Sequence, residues 1–112
     1  MSRISGYRNY SVIQTAGTGY VRQTVGATSA ALASIPAVAN GCTIMIIGNV
    51  ASTAGQPCIN YRLDGVAPTT TTGLPLFNGA ILQLFPGELA AFRAISADGN
   101  NQIVAVEYAT LS

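Results

Sequence analysis

The stretch Tyr61-Arg62-Leu63-Asp64-Gly65-Val66-Ala67-Pro68-Thr69, answered by Leu74-Pro75-Leu76 and by Asn78-Gly79 before the next apolar run, decides the fold class. It reads as a β-strand, a tight turn at Asp64-Gly65, a stiff polar connection and then another strand. Asp and Gly tolerate the turn backbone, whereas Pro68 has no N–H to give and cannot continue a ladder. In Ile59-Asn60-Tyr61-Arg62-Leu63 the apolar Ile59, Tyr61 and Leu63 face one way and Asn60 and Arg62 the other, the alternation of a half-buried strand. Asp64, Gly65 and Pro68 are therefore assigned to a structural turn. Asp64 has no second acidic neighbour along the chain, so no calcium site is expected there.

The same grammar extends in both directions. Short β-like runs fall at residues 10–15, 20–25, 29–33, 42–50, 58–63, 80–85, 89–95 and 103–109. Between them lie spacers such as Ala16-Gly17-Thr18-Gly19, Asn40-Gly41, Pro86-Gly87 and Asp98-Gly99-Asn100-Asn101. About eight strands at this spacing predict an all-β fold, a single antiparallel β-sandwich or jelly roll. Residues 28–39 have helical composition but are broken by Pro36. The chain of 112 residues divides into an N-terminal arm, residues 1–9, and one domain, residues 10–112. A domain of that size buries roughly two-thirds of its unfolded surface.

Two hairpins are expected between sequence neighbours. One joins residues 42–50 to 58–63 around Ala54. The other folds 89–95 onto 103–109 around Gly99, with Ile95 opposite Ile103 and Arg93 diagonal to Glu107. The nearly continuous apolar run from Cys42 predicts a strand covered on both faces, by the second sheet and by a further surface such as another subunit. In the first hairpin Cys42 and Cys58 each begin a strand and lie toward opposite ends of the pair. A disulfide needs Cα atoms within about 7 Å, so two reduced, packed thiols are expected. Their spacing matches neither a metal nor a redox motif.

Hydrophobic residues make up 49% of the chain and charged residues only 8%, against roughly 25% charged in an ordinary domain. The surface must then be built from Thr, Ser, Asn, Gln, Gly and apolar side chains. Few charges hold such molecules apart, so this is a protein expected to pack against others and to form a homo-oligomer. Arg3, Arg8, Arg22 and Arg62 precede any acid, and Asp64, Glu88, Asp98 and Glu107 follow with Arg93, for a net charge of +1. Four scattered arginines make no phosphate-binding stripe, so direct nucleic-acid binding is not expected. The apolar stretch 44–47 is too short to span a bilayer, and the N-terminus shows no signal-peptide core, so a soluble, membrane-free protein is expected.

Catalytic chemistry is not expected either. His, Lys and Trp are missing from the sequence, which removes most general-base, Schiff-base and metal-site options. The four carboxylates are dispersed, and no paired-acid arrangement is evident. Gly17-Thr18-Gly19 lies in a β context with no following helix and reads as turn glycines, not a phosphate cradle. No enzyme, cofactor or metal is assigned. The candidate partner-binding residues are Arg3, Tyr7, Arg8 and Tyr10 in the arm, because aromatics beside arginines bring large contact area with few rotors.

The order Ile35-Pro36, the apolar strand 43–47, Tyr61-Arg62-Leu63-Asp64-Gly65 with Pro68-Thr69, then Gly73, Leu76, Gly79, Leu84 and residues 89–95 resembles small virion proteins of tailed bacteriophages, of the capsid decoration or cement type. The resemblance covers about residues 24–108 through a loose pattern. It implies a structural protein, made in the host cytoplasm, that binds the outer surface of an assembled capsid and reinforces contacts between major capsid protein subunits. A head or tail component of the virion is the nearest alternative. The same Tyr-x-Leu-Asp-Gly segment is also similar to β-sandwich modules appended to secreted glycoside hydrolases, which implies carbohydrate binding with Tyr61 and Tyr108 as the aromatics to stack on sugars.

Overall fold

A computed structural model describes residues 14–111. They form eight strands: β1 (Gln14–Val25), β2 (Ala30–Ala31), β3 (Gly41–Ile47), β4 (Ile59–Arg62), β5 (Leu74–Leu76), β6 (Ile81–Leu84), β7 (Arg93–Ser96) and β8 (Gln102–Leu111). Two four-stranded sheets pack together, in the orders β1-β8-β3-β6 and β2-β7-β4-β5. All pairings are antiparallel. The partners are nested, β1 with β8, β2 with β7, β3 with β6 and β4 with β5, which is the winding of a jelly roll. The all-β sandwich expected from the turn grammar is the fold observed.

Alternation builds the core. In β3, Cys42, Ile44 and Ile46 are buried while Thr43 and Met45 are exposed. In β8, Gln102, Val104, Val106 and Tyr108 are buried while Glu107 faces solvent. The second sheet contributes Ile59, Tyr61 and Ala94, and Phe92 stacks on Tyr61 with ring centroids 5.8 Å apart. Tyr108 spans the sandwich, its hydroxyl donating to the Ala33 carbonyl at 2.6 Å. Asn40 clamps the end of β8, donating from Nδ2 to the Leu111 carbonyl at 2.8 Å and accepting the Leu111 N–H at 2.6 Å.

The pairing of sequence neighbours is corrected. β3 and β4 lie in different sheets, as do β7 and β8, so neither hairpin forms. Ile95 pairs with Asn60, and Ile103 with Thr24 and Ile47. Arg93 pairs with Ala31 and Arg62, while Glu107 sits between Tyr20 and Thr43. The physical reason is that residues 48–58 and 97–101 carry the chain from one sheet to the other, the second crossing held by the Ala97 N–H donating to the Cys58 carbonyl at 2.8 Å. The cysteines are free and buried, but in opposite sheets and not in one hairpin.

Three element boundaries also change. Over the described residues, runs 10–15 and 20–25 belong to one strand, β1, with Gly17 and Gly19 taken up as register shifts against β8 and not as a turn. Residues 89–92 are part of a tight turn in which Glu88 Oε1 accepts the Phe85 N–H at 2.7 Å, so β7 starts only at Arg93. Leu74–Leu76 forms an edge strand despite Pro75, whose missing N–H is tolerated there.

Candidate contact surface

The outer face of the β1-β8-β3-β6 sheet is the site that register assembles. One row across the four strands is Tyr20, Glu107, Thr43 and Gln83, and the next is Arg22, Ala105, Met45 and Ile81. A third row adds Thr24, Ile103 and Ile47. Tyr20 is 61% exposed, Met45 43% and Ile81 64%, so an aromatic, a thioether and a branched aliphatic stand in water on one pleated surface. These rows surround a shallow depression of about 310 Å³. Among the described residues only the inner face of β3 is covered, by the second sheet, which leaves Thr43 and Met45 on the outer face exposed. The two charges of the face, Arg22 and Glu107, are exposed and diagonal across the β1–β8 ladder.

The opposite sheet is dressed by its own loop. Asn60, expected on the solvent side, is buried because the loop after β4 folds over it, and its Nδ2 donates to the carbonyls of Thr69 at 3.0 Å and Thr70 at 3.1 Å. Pro68 is buried in that loop. Gly65 has φ +79°, and the Val66 N–H donates to Asp64 Oδ1 at 3.1 Å, closing the turn locally. Asp64 is also salt-bridged to Arg62. That guanidinium foremost, then the Val66 N–H, holds the Asp64 carboxyl down at about 2. Arg93, directly across from Arg62, donates to Ser29 Oγ at 3.0 Å.

At one end of the sandwich a buried polar cluster joins the crossings between sheets. Gln102 accepts the Asn49 N–H at 2.7 Å through Oε1 and donates through Nε2 to Ser52 Oγ and Asp98 Oδ1, both at 3.0 Å. A cleft of about 480 Å³ lies beside it, lined in part by Asn49, Ser52, Phe77 and Asn78. Asn78 Oδ1 accepts the Gly48 N–H at 2.9 Å. Burial pushes the Cys42 thiol up to about 12, with Glu88 adding to the shift, and raises Cys58 as well, leaving both poor nucleophiles. Among the described residues no group of three or more His, Cys, Asp or Glu is placed to hold a metal.

Arg3, Tyr7, Arg8 and Tyr10 lie outside the described residues. Tyr61 and Tyr108, the aromatics considered for sugar stacking, are 8% and 1% exposed and serve the core. The residues that sequence reading missed are Tyr20, Arg22, Met45, Ile81 and Glu107. Strict alternation through Ile44-Met45-Ile46 would have placed Met45 outward, but an all-apolar run hides that signal. What fold and surface define together is a jelly roll with one exposed, largely uncharged sheet face that no other described element covers. Compared with protein-family models, curated proteins and solved structures, the chain matches none.

Proposed function

We propose that this protein is a structural virion component that decorates a bacteriophage capsid, binding major capsid protein subunits on the outer surface and stabilising their contacts. The observation that carries this reading is the uncovered apolar face of the β1-β8-β3-β6 sheet, on a chain whose surface has few charges to oppose association. The jelly-roll winding supports it at the level of architecture alone, since viral capsid domains use that winding, as do lectins and cupins. In this reading the arm residues Arg3, Tyr7, Arg8 and Tyr10 grip the capsid and the folded domain supplies homo-oligomeric contacts. The test is co-sedimentation of the purified protein with intact phage capsids and, separately, with detached tails. Binding to capsids alone is expected; binding to tails alone would assign the protein to the tail.

A further inference from the structure

The outer face of the β1-β8-β3-β6 sheet carries one cation and one anion, and that pattern bears on what covers it. Arg22 sits on β1 opposite Ala105, and Glu107 sits on β8 opposite Tyr20, so they are diagonal neighbours. Both are exposed, and among the described residues neither makes an ion pair within the chain. The other positions of the first two rows are Tyr20, Ala105, Thr43, Met45, Gln83 and Ile81, all uncharged. We infer that this face pairs with the same face of a second copy about a two-fold axis, Arg22 of each copy meeting Glu107 of the other.

The geometry follows from the symmetry. A two-fold axis lying in the contact plane and bisecting the line from Arg22 to Glu107 exchanges the two positions, so each guanidinium lands opposite one carboxylate of the other copy, two pairs in all. A face with one charge of each sign is complementary to itself, which is what an isologous contact requires. A patch with two charges of one sign would instead demand a partner of the opposite sign. Met45 and Ile81, together in the second row, supply the apolar centre. The pairing buries these side chains and places the depression between the copies.

The size of the face sets its strength. Four strands at about 4.8 Å spacing and five residues at about 3.4 Å rise give a footprint of roughly 330 Å² per copy. A standard interface takes about 800 Å² per partner. The dimer is therefore weak, with a micromolar to submillimolar dissociation constant, and concentration-dependent. Where many copies are held side by side on one surface, linkage raises its effective strength without new contacts. The inference deepens the associative reading and rests on it only in taking the chain to act as an oligomer. Dimerisation is measured without any capsid present, so failure here leaves capsid binding standing, and the reverse.

The experiment is sedimentation velocity of the full chain across a wide concentration range, with thermal melts confirming that each variant folds. Wild type is expected to pass from monomer to dimer. Met45→Asp and Arg22→Glu alone, and Glu107→Arg alone, are each expected to weaken the dimer about tenfold or more. An equimolar mixture of Arg22→Glu with Glu107→Arg is expected to associate again, because each restores the other's complement. The double variant Arg22→Glu/Glu107→Arg is expected to dimerise as wild type does. A wild type that stays monomeric throughout, a dimer indifferent to Met45→Asp, or a mixture that fails to associate would each overturn the inference.

Discussion

The fully buried Gln102 donates from Nε2 to Oδ1 of Asp98 at 3.0 Å, fastening the first residue of β8 to the crossing that delivers it from the other sheet. The same carboxylate oxygen accepts the Asn100 N–H at 2.9 Å and the Ser96 hydroxyl at 3.2 Å. One exposed aspartate thus organises a turn from beneath and from within.

Gln102→Leu keeps the bulk but leaves the Asn49 N–H without its acceptor and removes the donor to Ser52 Oγ and Asp98 Oδ1. A buried donor left unsatisfied costs about 1 to 3 kcal/mol. The urea midpoint should fall accordingly, with the m-value unchanged. An unaltered midpoint would show that water replaces the amide at no cost.

Acid should weaken the fold through Asp98 and Asp64. Hydrogen bonding from Ser52 foremost, then from the Asn100 N–H, holds the Asp98 carboxyl at about 2, and Arg62 does the same for Asp64. In the unfolded chain both take their ordinary value near 3.9, so the unfolded state binds protons first as pH falls. Their stabilisation is complete above about pH 5 and is lost as pH falls toward about 2. Denaturation midpoints measured across that window should drop for wild type and drop less for Asp98→Asn. A wild-type midpoint flat from neutral to strongly acidic pH would contradict the linkage.

How much of this was legible depends on range. The Asp64-Gly65 turn and the spacing of short β-runs between turn residues are local features, and both read directly from the chain. Pairing is not local: nothing in Leu89 to Ile95 says that Ile95 meets Asn60 and not Ile103, because a strand with apolar residues on both sides satisfies either partner. Eight runs were expected and the described residues form eight strands, yet two runs share β1 and β5 was hidden by Pro75. The contact face was illegible for a related reason. Met45 lies in an apolar run where inward and outward positions look alike, and its neighbours Tyr20 and Ile81 come from strands far away in sequence.

Two glycines should respond differently. At Gly65, φ +79° is the whole obstacle, since a Cβ there would meet nothing within 4 Å. Gly65→Val should cost about 1 kcal/mol or more, and Asp64→Asn should stay close to wild type because Asn serves the same turn. At Gly73, φ is +132° and a Cβ would lie 3.1 Å from the Tyr61 carbonyl oxygen and 3.2 Å from both Asn60 Cβ and Pro68 Cβ. Gly73→Ala should therefore destabilise more than Gly65→Ala in the same melt. Equal losses would mean that the loop over Asn60 yields freely.

Both thiols should resist alkylation in the native protein and react fully once it is unfolded, without reductant, as read by intact mass. Cys42 and Cys58 are each 2% exposed, and burial disfavours both thiolates. Modification of the folded protein at its unfolded rate would contradict their burial. A species two mass units lighter that takes no label would reveal a disulfide.

Deleting residues 1–9 tests the arm. The truncated chain should melt as wild type does, since the sequence places the sandwich domain after residue 9, and should bind capsids more weakly because Arg3, Tyr7, Arg8 and the aromatic grip are reduced. Failure to fold would make the segment part of the sandwich. Capsid binding as tight as that of the full chain would move the contact onto the domain.

The nesting of strands also dictates a schedule. β8 lies inside its sheet, flanked by β1 and β3, and it is made after every other described strand. Until residues 102–111 leave the ribosome, β1 has no strand partner among the described residues, and β3 has β6 alone among them. β4 with β5 is the one closure between successive strands, so assembly can start there and must spread outward through ever longer loops. A nascent chain at about 5 to 20 residues per second waits seconds with β1 unpaired. A chain truncated before residue 102 would then lack the middle of a sheet, not its edge.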